Sequence, residues 1–161
     1  RAGQTARILD MHHHTMEHEV QAHELVQTAL WMSLLRSCSG AEAFMKKNQG
    51  RITAHSMVAF LLFEPSFPRS LRYCLRSADG LLRRIWPNEG MGSTLPPSRA
   101  RVASLLLWLD AQALSLDMGQ IHKLLTHVVD ETAANCAHVS EEIQGPPQTM
   151  TQQQEPGEIA G

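Results

Sequence analysis

The sequence is poor in aromatic residues and has no excess of positive charge. Aromatic side chains make up 5% of its 161 residues, and its apolar residues are mostly Leu, Ala, Val, Ile and Met. This mixture favours helices, in which unbranched side chains lose little rotamer freedom. The formal net charge of −2 disfavours a nucleic-acid binder, because such proteins gain affinity by neutralising phosphates. We therefore expect no nucleic acid among its partners.

Paired cysteines and membrane-spanning runs are also missing. The three cysteines, Cys38, Cys74 and Cys136, form no C-x-x-C pair, so neither a zinc knuckle nor a thiol–disulfide redox motif is indicated. Each lies among apolar residues, and we expect all three to be buried. No apolar run approaches the roughly 18 residues of a membrane span, and no signal-peptide pattern opens the chain. These absences predict a cytoplasmic protein without membrane partners.

Apolar residues recur at helical spacing along most of the chain. The pattern predicts helices over residues 2–16, 21–37, 54–63, 68–85, 99–116 and 119–143, with a short further candidate at 41–47. Thr53 is a predicted N-cap, and Pro68 is a predicted first helical residue. No segment has the pattern of a strand. We expect an all-α fold, a helical bundle of about five or six helices with no sheet.

The helices are expected to form one domain over residues 1–143, followed by a disordered tail over residues 144–161. The tail is rich in Pro, Gln and Gly, and such a composition buries too little apolar surface to offset the entropy of ordering. The chain starts at Arg1 rather than at a methionine. This start favours a fragment of a longer protein as one interpretation.

The predicted helix over residues 68–85 has two separate faces. An apolar stripe consists of Leu71, Cys74, Leu75, Ala78, Leu82 and Ile85. A second stripe, called the arginine row below, consists of Arg69, Arg72, Arg76 and Arg83. Such a row suits a phosphate or an acidic peptide as its partner. The alternative is a solvated face whose charges pair with Asp79 and nearby carboxylates.

The first predicted helix carries a polar face of its own. Arg7, Asp10 and His14 share this face, and His18 joins it if the helix continues. A guanidinium held by a carboxylate one turn away can bind an anion, whereas the alternative is an ion pair within or between helices. His14 and His18 could supply two ligands to zinc, but no third ligand has a fixed position. We expect no metal site and no cofactor.

Several motifs, taken in order, resemble one known family. The first ten residues, RAGQTARILD, are similar to a signature in which a Glu-Arg pair precedes A-x-x-T-A-R-x-L-D. Residues 31–44, 58–62 and 67–75 resemble the blocks that follow it. Over about residues 1–143 the chain resembles the bacterial alpha-E family, a helical domain named for its conserved Glu-Arg motif. Members are usually twice this length, and this chain is similar to their C-terminal half, without the Glu that should precede Arg1.

The resemblance also implies partners and a type of chemistry. Family genes adjoin or fuse to ATP-grasp ligases and transglutaminase-like peptidases, which implies the making or modifying of a peptide or amide bond. We expect a non-catalytic interaction module acting with an ATP-grasp-type ligase and a transglutaminase-like protein. The alternative is a helical enzyme of peptide ligation or modification, with Arg1, Arg7 and Asp10 as catalytic candidates and Thr5 and His14 as binding candidates. A truncated homologue with only a structural capacity is a third interpretation.

A half-length chain would leave one apolar surface without its neighbour. The expected surface comprises the first helix and the face around Leu25, Leu30 and Trp31. A helix separated from its bundle exposes the face that a neighbour would cover. An exposed apolar patch of more than a few hundred Å² promotes association. Self-association is therefore a further prediction.

Overall fold

A computed structural model describes residues 1–18, 24–49, 52–87 and 95–145, side chains at 16–18 and 24–25 excepted. Its seven α-helices are α1 (Ala2–His18), α2 (Glu24–Ser37), α3 (Ala41–Asn48), α4 (Ala54–Phe63), α5 (Leu71–Ile85), α6 (Pro97–Gln112) and α7 (Ile121–Gln144). A single 3-10 turn, Met118–Gln120, leads into α7. None of the described residues forms a strand. The all-α prediction is confirmed, and the short α3 brings the number of helices above the expected five or six.

Four helices, α1, α5, α6 and α7, surround the candidate site. α1 packs chiefly against α7, α5 packs against α6, and contacts of α6 with α7 and of α1 with α5 complete the group. α2 and α4 join this group through α1 and α5, and α3 packs on α2 and α4. A single cluster of buried apolar side chains, including Leu9, Leu35, Leu61, Leu109 and Leu125, runs through the described helices. None of the described helices is both long enough and apolar enough to cross a membrane.

Capping side chains set where two of the helices begin. The Thr53 side chain accepts a hydrogen bond from the Ser56 backbone N–H, and the Ser56 hydroxyl accepts one from the Thr53 N–H, both at 3.1 Å. The predicted N-cap of α4 is confirmed by this capping box. The predicted start of α5 is wrong, because buried Ser70 caps the helix by accepting from the Tyr73 N–H, and Pro68 lies in the preceding turn.

The ends of the last two helices also differ from the sequence-based boundaries. α6 begins at Pro97, where a proline suits the first helical position, and it ends at Gln112 rather than near residue 116. α7 ends at Gln144, one residue beyond the predicted helix. The predicted disordered tail falls outside the described residues from position 146 onward.

The apolar stripes are buried along most of their length but not at their ends. Leu71, Leu75 and Leu82 of α5 are buried, whereas Ile85 is 55% exposed. Ile143 near the end of α7 is 63% exposed. The prediction that Ile85 points inward is wrong, because Ile85, like Ile143, lies in a last turn at the edge of the bundle.

The cysteines occupy three different environments. Cys38 is buried as expected, Cys74 is half-buried, and Cys136 is exposed. The prediction of a buried Cys136 is wrong, because the buried residues of α7 end at Val128 and Cys136 lies about two turns further along the helix.

The surface predicted to be under-packed is covered around Trp31. Trp31 is only 4% exposed, and its ring makes an edge contact with His12 of α1 at a centroid distance of 4.7 Å. Leu30 is half-buried, and the side chain of Leu25 lies outside the described part of the chain. The expectation of an uncovered Trp31 is wrong because α1 itself supplies the cover. Met11 on α1 is 72% exposed, and self-association stays a prediction.

Candidate functional site

A cleft of about 570 Å³ lies between α1, α5, α6 and α7. Its inner wall is apolar and includes buried Leu75 and Leu105 together with Ala78 and Val129. Leu81 lies at the same cleft and is 57% exposed. Sites for small molecules are typically mostly apolar clefts of about 300–1,000 Å³ with a few polar groups. The cleft is therefore the leading candidate for a functional site.

Positive charge dominates the polar lining of the cleft. Arg1 and Arg7 line it from the start of α1, Arg101 lines it from α6, and Glu131 lines it from α7. Arg101 Nη1 is 3.4 Å from Glu131 Oε2. Neither Arg1 nor Arg7 forms an ion pair with any residue that the structure describes. Three arginines and one glutamate leave a formal charge of 3 − 1 = +2, which suits an anionic ligand.

A buried acceptor without a donor lies in the same cleft. Asn135 of α7 lines the cleft, and its Oδ1 is buried with no hydrogen-bond partner among the described residues. A buried acceptor left without a partner costs about 1–3 kcal/mol. An N–H group brought to this oxygen would remove that cost.

The thiols and hydroxyls of the cleft are not activated as nucleophiles. Burial raises the pKa of the Cys74 thiol, and the positive charge at Arg1 offsets this only in part. The thiol, which lies 3.5 Å from the Pro68 carbonyl oxygen, is therefore protonated at neutral pH and a weak nucleophile. The Thr132 hydroxyl donates to the Val129 carbonyl. Among the described residues, no thiol or hydroxyl of the cleft is bonded to a histidine or a carboxylate, as an activated nucleophile requires.

The candidate residues of α1 divide between the cleft and the helix contacts. Arg1 and Arg7 line the cleft, whereas Thr5 and Asp10 do not. Thr5 is buried, and its hydroxyl donates to the Arg69 carbonyl at 3.0 Å. Asp10 Oδ1 is 2.7 Å from His122 Nδ1 on α7. Arg7 and Asp10 do not form the anion-binding pair, because the Asp10 carboxylate is directed to α7 and forms a contact between helices, as the alternative interpretation holds.

The histidine face of α1 does not provide a metal site in the part of the chain that is described. His14 is exposed, and the side chain of His18 lies outside the described residues. No group of three or more His, Cys, Asp or Glu side chains is placed to hold a metal ion within residues 1–15, 26–49, 52–87 and 95–145.

The arginine row is divided between paired and unpaired side chains. Arg72 Nε is 2.9 Å from Asp110 Oδ1 of α6, without the alignment of a hydrogen bond. Arg83 Nε donates to Asp79 Oδ2 at 2.7 Å. Arg69 and Arg76 are exposed and form no ion pair with the described residues. None of the four lines the cleft, so the row is a separate surface with two free guanidinium groups.

Three polar residues of the cleft were not anticipated from the sequence. Arg101, Glu131 and Asn135 lie on α6 and α7, outside the stretches that carry the family resemblance. The four-residue spacing of Glu131 and Asn135 places them on one face of α7. This spacing is a local signal for a polar face, but it does not indicate which helices meet there.

Comparison with known proteins agrees with this architecture. A family model named Alpha-E, described as a predicted alpha-helical domain with a conserved ER motif, matches residues 1–145. This range includes all seven helices and every described residue of the cleft. No curated protein and no solved structure matches the chain. Because the family match covers most of its length, the chain belongs to the Alpha-E family.

Proposed function

We propose that this Alpha-E domain is a non-catalytic interaction module that serves an ATP-grasp-type peptide or amide ligase and a transglutaminase-like protein in the bacterial cytoplasm. The observation that carries the proposal is the cleft between α1, α5, α6 and α7, with its apolar wall and formal charge of +2. Such a lining is suited to holding a ligand. Within the part of the chain that the structure describes, its hydroxyl and thiol groups have no neighbouring base of the kind that bond formation requires. The domain holds a ligand, and the partner supplies the chemistry.

The arginine row supplies a second surface for this role. Arg69 and Arg76 are exposed on the outer side of α5 and its preceding turn, and a ligase with an acidic surface would be attracted to them. Exposed charges of this kind mainly increase the rate of association and make it depend on salt. In this proposal the cleft holds the ligand, and the arginine row guides the partner protein.

Co-expression with the ligase and the transglutaminase-like protein of the same genome tests the proposal. We expect the tagged chain to retain the ligase through affinity purification and gel filtration. The Arg69→Glu/Arg76→Glu variant should slow association and weaken its salt dependence. Lys46→Glu is the matched control, because Lys46 is an exposed residue of α3 that pairs with Glu42 and lies outside both surfaces. If the tagged chain retains neither the ligase nor the transglutaminase-like protein at low salt, the proposal is contradicted.

A helical enzyme is the alternative, and one observation favours it. Arg1, Arg7 and Glu131 line the same cleft, so a carboxylate is present beside the two arginines of the signature. Glu131 rather than Asp10 would then act in the reaction, after leaving its contact with Arg101. Incubation of the isolated chain with ATP and amino acids decides between the two. Formation of a peptide bond that Glu131→Gln abolishes would establish the enzyme and remove the non-catalytic proposal.

A further inference from the structure

The polar groups of the cleft that lack partners have different chemical requirements. Arg1 and Arg7 carry positive charge without an ion pair among the described residues. Asn135 Oδ1 is a buried acceptor that needs an N–H donor. The apolar wall with buried Leu75 lines the same cleft. A ligand that satisfies all three requirements has an anionic group, an N–H group and an apolar side chain.

These requirements exclude several classes of ligand on chemical grounds. A free phosphate matches the arginines but leaves the apolar wall without contacts. A fatty acid matches the arginines and the wall but brings no donor to Asn135 Oδ1, so it lacks the stabilisation that an N–H group would add. A whole helix would have its own N–H groups bonded internally. The free end of a peptide chain provides a carboxylate, an unbonded amide N–H and side chains together.

We propose that the cleft binds the C-terminal end of a peptide whose last residues are apolar. Arg1 and Arg7 receive the terminal carboxylate, since a guanidinium can bind a carboxylate through two parallel hydrogen bonds. Asn135 Oδ1 accepts from an amide N–H of the peptide. The apolar side chains pack against Leu75, Ala78 and Val129, and partly cover the exposed Leu81. This inference deepens the proposed function, because it names the ligand that the module would hold for the ligase.

Calorimetric titration of the whole chain with acetyl-Ala-Leu-Leu tests the inference. We expect the peptide with a free carboxylate to bind about tenfold more tightly than the same peptide ending in a carboxamide, because only the former pairs with the arginines. Arg7→Gln should remove most of this difference. Arg84→Gln is the matched control, because Arg84 is an exposed residue of α5 outside the cleft. Equal binding of the two peptides, or binding of neither, would overturn the inference.

Two further probes separate the peptide from other anions. Decanoate has a carboxylate and an apolar chain but no N–H, and we expect it to bind more weakly than the peptide. Asn135→Ala should weaken the peptide about tenfold and leave decanoate unchanged. Decanoate binding as tightly as the peptide, or displacement of the peptide by equal concentrations of inorganic phosphate, would overturn the assignment. Circular dichroism of each variant verifies that it is folded.

The outcome of these titrations is independent of the association with the ligase. Peptide binding without any ligase complex would leave this inference standing and remove the proposed function. A ligase complex without carboxylate-dependent peptide binding would support the proposed function and overturn the inference.

Discussion

Asp10 Oδ1 lies 2.7 Å from His122 Nδ1 and joins α1 to α7 across 112 positions of the sequence. Asp10 belongs to the segment that resembles the family signature, yet it does not line the cleft. Arg7, one turn before Asp10 on the same helix, does line the cleft. We infer that the acidic residue of the segment positions α1 against α7, and that the arginines of the segment are available to a ligand.

This division of roles predicts a small effect of Asp10→Asn. The side chain of His122 is 68% exposed, and exposed pairs of this kind contribute about 0–1 kcal/mol. We expect the free energy of unfolding in urea to fall by no more than this amount, with peptide binding unchanged. The matched variant Arg7→Gln should show the reverse: unchanged stability and weakened binding. A loss of binding in Asp10→Asn at unchanged stability would place Asp10 in the site.

Gly40 is predicted to be intolerant of a larger side chain. A Cβ atom added at this position would lie 2.9 Å from Phe67 Cζ and 3.4 Å from Phe60 Cε1. These two rings are stacked at a centroid distance of 4.9 Å, so neither can move without disturbing the other. We expect Gly40→Ala to lower the free energy of unfolding by about 1–3 kcal/mol, the usual cost of an overpacked core.

Gly80→Ala is the matched control for this substitution. Gly80 lies within α5, is exposed, and has no atom within 4 Å of an added Cβ. Because glycine is unfavourable within a helix, we expect Gly80→Ala to raise the free energy of unfolding by about 0.5–1 kcal/mol. Chemical denaturation of both variants provides the comparison. Similar effects of the two alanines would show that the Phe60–Phe67 stack is not rigid.

The environment of His12 predicts a dependence of stability on acid pH. Burial lowers the pKa of His12, and the neighbouring His13 lowers it further. Its pKa is therefore higher in the unfolded chain, near the usual value of about 6.5. As pH falls, the unfolded state binds a proton at His12 before the folded state does. The free energy of unfolding therefore decreases from about pH 6.5 down through the folded-state pKa of His12.

Comparison with His12→Gln isolates this contribution from that of the other titrating groups. We expect the free energy of unfolding of the original chain to fall more between pH 7.5 and pH 5 than that of the variant. Parallel pH profiles for the two proteins would show that the burial of His12 does not favour the neutral ring.

Glu142 is predicted to stabilise the start of α6 from the end of α7. One carboxylate oxygen accepts from the Ser98 backbone N–H at 2.8 Å, and the other accepts from the Ser98 hydroxyl. Ser98 is fully buried. Without Glu142, its N–H could therefore not donate a hydrogen bond to water instead. We expect Glu142→Ala to cost about 1–3 kcal/mol in thermal or chemical unfolding.

Glu141→Ala is the control for this prediction. Glu141 is exposed, and its Oε2 lies 3.8 Å from His138 Nδ1. Its removal should change stability by no more than about 0.5 kcal/mol. Equal costs for the two glutamates would indicate that Glu142 does not cap α6.

Local features of the fold could be predicted from the sequence because they depend on short-range physics. The apolar spacing of Leu71, Leu75 and Leu82 identified the buried face of α5, and the hydroxyl of Thr53 identified the start of α4. The prediction of a buried Ile85 was wrong because periodicity indicates which residues share a face of a helix. It does not indicate how far the neighbouring helices extend. Pro68 suited a helix start, but the competing cap at Ser70 displaced that start by one turn.

The candidate site could be predicted only in part. Arg1 and Arg7 were identified through the family resemblance, and both line the cleft. Arg101 and Asn135 reach the same cleft from α6 and α7, which are distant in sequence. Their approach depends on how α1 packs against α7 and α5 against α6, and no spacing within a single helix encodes that arrangement.

Hydrogen–deuterium exchange of the chain with and without acetyl-Ala-Leu-Leu tests most directly whether the cleft is the ligand site. We expect the peptide to add protection in three segments that line the cleft: residues 1–7, 73–81 and 129–136. Residues 41–48 of α3, which lie outside the cleft, should exchange at an unchanged rate. Unchanged exchange throughout, or protection confined to α3, would contradict the account of the cleft as the site that this Alpha-E domain uses.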